Sequence, residues 1–369
     1  MKSRKINVYC FKCNKPIDGI IEERDKKAYV IKTCNICGIS EYLIENNYEF
    51  LEKLYISLEH RNFNFSDVSC NKHSSHANLM TAIDITSKCN LHCKHCYYSP
   101  DNTTKDKSLI RIFSEIQDIK TPEIILVGAE PTVRDDLNQI ICEINRLGKK
   151  TNIQTNGLKL ADKKYVKHLK DAKINKIGIS IHSAEYHNNQ IYNKVIEGLW
   201  NTISANLRIS RLAFVICSED DALKALKFLL GFERRYKLLS KVVHLDTKLE
   251  HISYYMYTPI KSGRYVDSDP DIFLSDLVIY FKAAFAKCGI SFDDNIFNGV
   301  NTPYETVVNT GLTGALTLLS YTAAPNGLDK DILDKHSHWD YYMDKNIEHI
   351  AHSLPVETGI TGNIHDSKK

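Results

Sequence analysis

The sequence lacks any apolar run long enough to span a membrane, and it lacks an excess of charge of either sign. A basic start, Met1 to Lys5, is not followed by an apolar segment, so no secretory signal peptide is expected. Its 48 basic and 45 acidic residues nearly balance, which gives no electrostatic case for nucleic acid or an anionic membrane as a partner. The eleven cysteines are odd in number and mostly closely paired, which favours metal ligation over disulfide bonds. We therefore expect a soluble, cytoplasmic protein.

From residue 79 onwards, short apolar strands alternate with amphipathic helices. Strands are predicted over residues 79–85, 123–127, 151–155, 176–181, 212–217 and 252–258, and helices over residues 108–119, 135–147, 163–172, 189–205 and 222–236. Such alternation indicates βαβ units and a parallel sheet. Six repeats are too few for a closed eight-fold barrel. The expected fold class is α/β, with a partial, open (β/α)6 TIM-like barrel over residues 79–262.

Two cysteine pairs precede the predicted barrel, Cys10 with Cys13 and Cys34 with Cys37, in a segment (residues 1–45) that we expect to be too small for its own core. Two C-x2-C pairs around a predicted strand are typical of a zinc ribbon, and a rubredoxin-like single iron uses the same four-sulfur tetrahedron. We therefore predict a four-cysteine module that binds zinc or mononuclear iron. A closed site of this kind has no open coordination position, so its expected role is stability.

Residues 46–78 are predicted to form a helix (47–59) and a polar linker. The linker holds Cys70, His73 and His76, whose spacing fits either a further metal site or incidental histidines in a solvated segment. Within apolar elements, Cys142, Cys217 and Cys288 are predicted to be core residues.

The segment 263–369 breaks the alternation and is predicted to be an α/β extension that closes the barrel and lines the substrate site. It contains a predicted helix over 271–287 and an apolar segment over 304–321. Residues 336–342, rich in histidine and aromatic side chains, are either a substrate-lining stretch or part of an amphipathic helix. No cysteine follows Cys288, so a multi-cysteine cluster is not expected here.

Three cysteines with C-x3-C-x2-C spacing, Cys89, Cys93 and Cys96, follow the first predicted barrel strand directly. A cubane [4Fe–4S] cluster normally takes four protein ligands, so three close thiolates leave one iron open to a substrate or cofactor. A small zinc site and three buried thiols are the alternatives.

Small and polar residues follow the next three strands, where parallel α/β folds place their working residues. A small residue lets the backbone approach a ligand, and an acid can meet an ammonium group. The candidates are Gly128, Ala129, Glu130, Pro131, Asn156, Ser180 and His182. For His182, a packed neutral ring is the alternative to a substrate contact. Further along, Arg264 is either a surface residue or a clamp for a carboxylate or phosphate.

The cysteine triplet resembles the signature of the radical S-adenosylmethionine (SAM) superfamily, and residues 128–131 are similar to its Gly-Gly-Glu-Pro segment. The resemblance implies that Cys89, Cys93 and Cys96 hold a [4Fe–4S] cluster whose open iron chelates SAM. It implies that residues 128–131 hold the methionyl ammonium and that Asn156 and Ser180 contact the ribose and carboxylate. In the place of an aromatic residue near the adenine, this chain has His95.

Residues 1 to about 230 resemble the branch containing archaeal tetraether-lipid synthases and dihydropterin methylases, through the four-cysteine module and residues 70–76, 130–137 and 155–161. Of the additional cysteines that this branch carries before the triplet, only Cys70 is present.

The implied function is that of a radical SAM enzyme, an oxidoreductase or transferase. It cleaves SAM reductively to a 5′-deoxyadenosyl radical, which abstracts hydrogen from an unactivated C–H bond of a small metabolite. A flavodoxin or ferredoxin would supply the electron. Methyl or C–C transfer is the alternative reaction, and a non-catalytic metal-binding scaffold is a further alternative.

Overall fold

The structure is a computed structural model that describes residues 2–9, 16–52, 80–96, 100–119, 122–182, 188–247, 252–259, 264, 272–290, 306–308 and 316–319. These residues form a four-stranded sheet near the N-terminus and an eight-stranded sheet that carries the remaining elements. None of the helices in these ranges is long and apolar enough to cross a membrane.

The N-terminal sheet is antiparallel and follows chain order, with β1 (Ser3–Tyr9), β2 (Pro16–Arg24), β3 (Lys27–Cys34) and β4 (Gly38–Glu45). Its residues alternate between the two faces, and helical residues 48–52 cover one face. The expectation that this segment lacks a core is therefore wrong. Six buried side chains form a small hydrophobic core: Ile21, Ala28, Val30, Ile44, Tyr48 and Leu51.

The larger sheet begins with six parallel strands that are neighbours in chain order. They are β5 (Met80–Asp84), β6 (Glu123–Val127), β7 (Lys150–Thr155), β8 (Lys176–Ser180), β9 (Ile209–Val215) and β10 (Ser253–Tyr257). Beyond β10, a strand from the predicted apolar segment (β12, Leu316–Leu319) pairs in parallel, and β11 (Thr306–Val308) pairs antiparallel with β12. Among the described strands, β5 and β11 are the sheet edges. The α/β parallel sheet therefore fits a partial TIM-like barrel, as the alternating pattern predicts.

Helices connect successive strands, each within a few residues of its predicted range. They are α1 (Leu109–Asp118), α2 (Leu137–Arg146), α3 (Lys163–Asp171), α4 (Asn189–Ser204), α5 (Glu219–Ser240) and α6 (Leu274–Lys287). The first turns of α1, α3, α4 and α5 are capped by the side chains of Ser108, Asp162, Asn188 and Ser218, which accept backbone N–H groups. The apolar faces of these helices pack on the parallel strands to form one large core.

The prediction that Cys142 is a core residue is wrong. The buried face of α2 consists of Leu137, Ile140, Ile141 and Ile144, and Cys142 lies on the opposite face, where it is exposed. Its position in an apolar run concealed this, because helical rather than linear spacing decides burial. Cys217 and Cys288 are partly buried and pack against the margin of the core.

A buried acid links the N-terminal sheet to the rest of the protein. The carboxylate of Glu45, at the end of β4, accepts hydrogen bonds from Ser275 N (3.2 Å) and Ser275 Oγ at the start of α6, and from Asn47 N (3.3 Å). Burial raises the pKa of Glu45 to about 7, against the lowering effect of these bonds.

Candidate functional site

A cavity of about 170 Å³ lies at the C-terminal ends of the parallel strands. At about 30 Å³ of liquid volume for each water molecule, it has room for roughly six, which suits a small molecule rather than a single ion. Of the predicted site residues, the cavity brings together Cys89, Cys93, His95, Cys96, Gly128, Ala129, Glu130, Asn156, Ser180 and His182. Pro131 is buried beside them as the first residue of a short 3-10 turn, Pro131–Val133.

The three cysteines lie on a long loop between β5 and α1, and one arginine holds both ends of this loop. Nη1 of Arg134 donates to the carbonyl oxygens of Ile85 (2.7 Å) and Lys107 (3.0 Å). Its Nε and Nη2 donate to the two carboxylate oxygens of Asp136, at 2.7 and 2.8 Å. The bidentate pair fixes the guanidinium, which in turn closes the base of the cysteine loop.

The three thiols are partly buried, and none of them is in a disulfide bond. Burial raises the pKa of Cys89 to about 11 and that of Cys93 to about 12, although the positive charge of Arg264 acts in the opposite direction. Without a metal these two thiols are therefore protonated at neutral pH, and cluster assembly must release their protons.

The donor set fits an iron–sulfur cluster better than a single ion. In the described ranges, no three histidine, cysteine or acidic side chains are arranged to hold one metal ion. The three cysteines nevertheless line the same cavity. This arrangement suits a cluster, in which each thiolate binds a different iron, and three thiols leave one iron without a protein ligand from this loop.

Glu130 connects the end of β6 to the end of β7. The residue is 1% exposed, and its Oε1 accepts from Thr132 N (3.0 Å), Thr132 Oγ1 (2.5 Å) and Thr155 Oγ1 (2.7 Å). Its Oε2 accepts from the backbone N–H of Asn156 at 2.7 Å. Burial raises the pKa of this carboxyl group, against the effect of the four bonds.

Gly128 brings the end of β6 against the start of the cysteine loop. Its φ of +128° is unfavourable for a side chain, and an added Cβ would lie 2.9 Å from Asp84 Oδ1 and 3.0 Å from Thr86 N. The next residue, Ala129, donates its N–H to Thr86 O at 2.9 Å. Glycine is thus required at position 128 for this approach of two backbones.

Asn156 contacts the cysteine loop directly. Its Nδ2 donates to Asn90 Oδ1 at 2.7 Å and lies 3.9 Å from Cys89 Sγ. Its Oδ1 accepts from Leu158 N at 3.0 Å, which orients the amide. The predicted SAM-contacting residue therefore also reaches one of the predicted cluster ligands.

The remaining predicted residues lie close to the same loop. The rings of His95 and His182 meet edge to face, with centroids 4.3 Å apart. Arg264 donates its backbone N–H to Cys96 O at 2.9 Å, so this part of the chain contacts the cysteine loop.

Several other predictions concern residues that the structure does not describe: Cys10, Cys13, Cys70, His73, His76 and the stretch 336–342. Of the four-cysteine module, Cys34 is buried and Cys37 is partly exposed, and they flank the turn between β3 and β4. Metal binding by this module stays a prediction.

The cavity also contains residues that sequence reasoning missed. Gln154 and Arg211 are polar cavity residues, and Tyr257 and Thr258 line the wall at the end of β10. Gln154 was detectable, because it lies two residues before Asn156 and so on the same face of a strand. Arg211 was missed because the predicted strand began one residue later, at Leu212.

The protein thus combines an α/β fold with a loop of three thiols at the ends of the parallel strands. Residues 83–218 match the family model described as "Radical SAM superfamily", so this part of the chain is a radical SAM domain, and the relationship predicted from the cysteine triplet is confirmed.

Two curated relatives are similar to this chain. One is the 7,8-dihydro-6-hydroxymethylpterin dimethyltransferase of Methanocaldococcus jannaschii, 30% identical over 187 residues, which cover 46% of this chain and 37% of the relative. The second is the Fe-coproporphyrin III synthase of Methanosarcina barkeri, 27% identical over 151 residues, which cover 37% of each protein. The chain thus spans well under half the length of either relative.

A solved structure, the crystal structure of Streptococcus suis SuiB, is 16% identical. The superposition covers 89% of this chain and 77% of SuiB with a TM-score of 0.44, which is too loose to bear on the site.

Proposed function

We propose that this protein is a radical SAM enzyme in which Cys89, Cys93 and Cys96 hold a [4Fe–4S] cluster. The observation that carries the proposal is that these three thiols share one cavity with the candidate SAM residues. Those residues are His95, Gly128, Ala129, Glu130, Asn156 and Ser180, and Pro131 is buried next to Glu130 in the chain. When bound, cluster and SAM supply an electron and a 5′-deoxyadenosyl radical able to remove hydrogen from an unactivated C–H bond.

The residues of the chain bind and orient the cluster and SAM, and they exclude water from the cavity. Glu130 holds the β6 and β7 ends together, which places the Asn156 amide beside the cysteine loop. Gly128 allows the end of β6 to approach the start of the cysteine loop closely. Phe214, Val215 and Pro259 contribute apolar surface to the cavity, which limits the access of water to a reactive species.

We further propose that the substrate is a small metabolite, that the protein works in the cytoplasm, and that a flavodoxin or ferredoxin supplies the electron. The second candidate reaction is methyl transfer, because one relative is a dimethyltransferase by name. The simpler proposal, hydrogen abstraction, requires only the residues named above.

For the N-terminal segment we propose a zinc or mononuclear iron site formed by Cys10, Cys13, Cys34 and Cys37. Support comes from the register of the sheet: the Tyr9–Pro16 pair and the Cys34–Gly38 pair lie at the same end. The metal content of the purified protein and of Cys34→Ser tests this site.

The function is tested by the fate of SAM. The protein is reconstituted with iron and sulfide without oxygen and given SAM and dithionite, and the nucleosides are analysed by mass spectrometry. We expect 5′-deoxyadenosine from the wild type and from Cys142→Ala, whose thiol is exposed on α2 outside the cavity, and none from Cys93→Ala. Additional S-adenosylhomocysteine would indicate methyl transfer. Intact SAM beside a fully formed cluster would contradict the proposal and favour a scaffold.

A further inference from the structure

A row of three residues crosses the middle of the parallel sheet. Gln154 on β7 pairs with Gly178 on β8, and Gly178 pairs with Arg211 on β9. Because residue 178 has no side chain, the amide of Gln154 extends over β8. An added Cβ at this glycine would lie 2.7 Å from Gln154 Cδ and 2.8 Å from its Nε2. The glycine therefore leaves the space through which Gln154 reaches the next strand but one.

At the end of this path the amide of Gln154 holds an arginine. Oε1 of Gln154 accepts from Nε of Arg211 at 2.5 Å, and the guanidinium carbon lies 5.2 Å from the ring centroid of Tyr255 on β10. The Gln154 amide and the Tyr255 ring are both neutral, and together they fix the plane of the Arg211 guanidinium. Gln154 and Arg211 line the same cavity as the cysteine triplet.

A polar chain continues from Gln154 on the side away from Arg211. Nε2 of Gln154 donates to Asn152 Oδ1 at 3.2 Å, and Asn152 Nδ2 donates to Glu123 Oε1 at 3.5 Å. The carboxylate of Glu123 in turn forms an ion pair with Lys176 at 2.8 Å. The network orients Gln154, and the Glu123 carboxylate in it is paired with Lys176.

From this geometry we propose that Arg211 binds a carboxylate or phosphate group of the substrate. An oriented guanidinium in a partly enclosed cavity matches the fork geometry of such oxyanions. The assignment of this oxyanion to the substrate rests on the proposed function, since SAM also carries a carboxylate. Anion binding itself requires neither cluster nor turnover.

The test uses inorganic pyrophosphate as the probe and isothermal titration calorimetry at low ionic strength on the full chain without a cluster. We expect Arg211→Gln to bind pyrophosphate about tenfold more weakly or worse, as for the loss of a charge-assisted hydrogen bond. Gln154→Leu leaves the Arg211 guanidinium charged but removes the hydrogen bond that orients it, so this variant should bind pyrophosphate about threefold more weakly. Arg235→Gln is the matched control, because Arg235 packs 4.0 Å from the Trp200 ring centroid and does not line the cavity.

Far-UV circular dichroism and the melting temperature establish that each variant folds, and Gln154→Leu decides the outcome if Arg211→Gln does not fold. Equal affinities of the wild type and the folded variants would overturn the proposal, as would the absence of pyrophosphate binding by the wild type.

A second arm, SAM binding by the cluster-loaded protein, separates the two sources of the oxyanion. We expect Arg211→Gln to change SAM affinity by less than about twofold, because SAM is assigned to other residues. A tenfold loss of SAM affinity would assign Arg211 to the SAM carboxylate and overturn the proposal. If SAM is never cleaved, the proposed function fails, while the pyrophosphate result still stands.

Discussion

The side-chain amide of Asn156 joins the end of β7 to the cysteine loop, with Nδ2 at 3.9 Å from the sulfur of Cys89. The same residue donates its backbone N–H to the buried carboxylate of Glu130. One asparagine thus relates a predicted cluster ligand to the acid of the Gly-Ala-Glu-Pro segment. We therefore expect the electronic properties of a bound cluster to depend on a residue outside the cysteine triplet.

Replacing Asn156 by leucine should lower the reduction potential of the cluster, because hydrogen bonds to cluster sulfurs favour the more negative, reduced state. One hydrogen bond contributes about 1 kcal/mol, and a one-electron couple shifts by 59 mV for each tenfold change, so we expect a shift of about 40 mV or somewhat more. A redox titration followed by electron paramagnetic resonance measures it. Asn145→Leu is the control: it also loses a side-chain hydrogen bond, to Ala172 O, but lies on α2 and should leave the potential unchanged. An unaltered potential in Asn156→Leu would contradict the role of this contact.

Arg134→Gln should loosen the cysteine loop at both ends. The change removes a nearly buried guanidinium that bonds Ile85 O, Lys107 O and Asp136. Breaking this network should lower the free energy of unfolding by about 2–4 kcal/mol and reduce the iron bound after reconstitution. Urea unfolding and iron analysis measure the two effects. Arg146→Gln, which breaks an exposed pair with Glu143, should cost less than about 1 kcal/mol. Full iron content in Arg134→Gln would show that the arginine is not needed for the loop.

Gly128→Ala should destabilise the protein by at least about 1–3 kcal/mol, because residue 128 has a positive φ and faces the backbone of Thr86. SAM affinity should fall as well, since β6 must shift to relieve the clash. Gly231→Ala is the matched control: this glycine lies within α5 with nothing within 4 Å of an added Cβ, so alanine should stabilise the helix by up to about 1 kcal/mol. Similar melting temperatures for the two variants would contradict this account.

Glu45 should make stability fall with increasing pH. Its pKa is about 7 in the folded protein and about 4.3 in an unfolded chain, so the folded state binds more protons between these values. The contribution is fully present below the unfolded pKa and is lost as the pH rises through about 7, an effect of about 4 kcal/mol.

Urea unfolding of the wild type and Glu45→Gln at pH 5 and pH 8 measures this dependence. Glutamine does not titrate, so the variant should lose most of the difference between the two pH values. An equal pH dependence in both proteins would place the titrating group elsewhere.

The sequence predicted the bounds of an element best where a buried apolar run lies between proline and glycine residues. The range of β6 agrees with its prediction at both ends, because a run of five buried residues lies between Pro122 and Gly128. Helix α5 begins before its predicted start, since apolar spacing begins only after the acidic turn that follows its cap, Ser218, and it also continues to Ser240, beyond its predicted end. The exposure of Cys142 was missed for a different reason: the residue lies within an apolar run but on the exposed face of α2.

Contacts between distant parts of the chain were not predictable from local patterns. Glu45 and Ser275 are 230 positions apart, and no periodicity connects them. The row of Gln154, Gly178 and Arg211 depends on strand register, which only the assembled sheet defines. The cysteine triplet, in contrast, is a local motif. Its position at the C-terminal ends of the parallel strands follows from the strand that precedes it.

We propose above all that three cysteines of this chain hold a cluster with one iron open to SAM. The most direct test is the electron paramagnetic resonance spectrum of the reconstituted, dithionite-reduced protein, recorded with and without SAM. We predict the signal of a reduced [4Fe–4S] cluster whose g values change when SAM is added, in the wild type and in Cys142→Ala but not in Cys93→Ala. A cluster signal that is unaffected by SAM, or that persists unchanged in Cys93→Ala, would contradict the account.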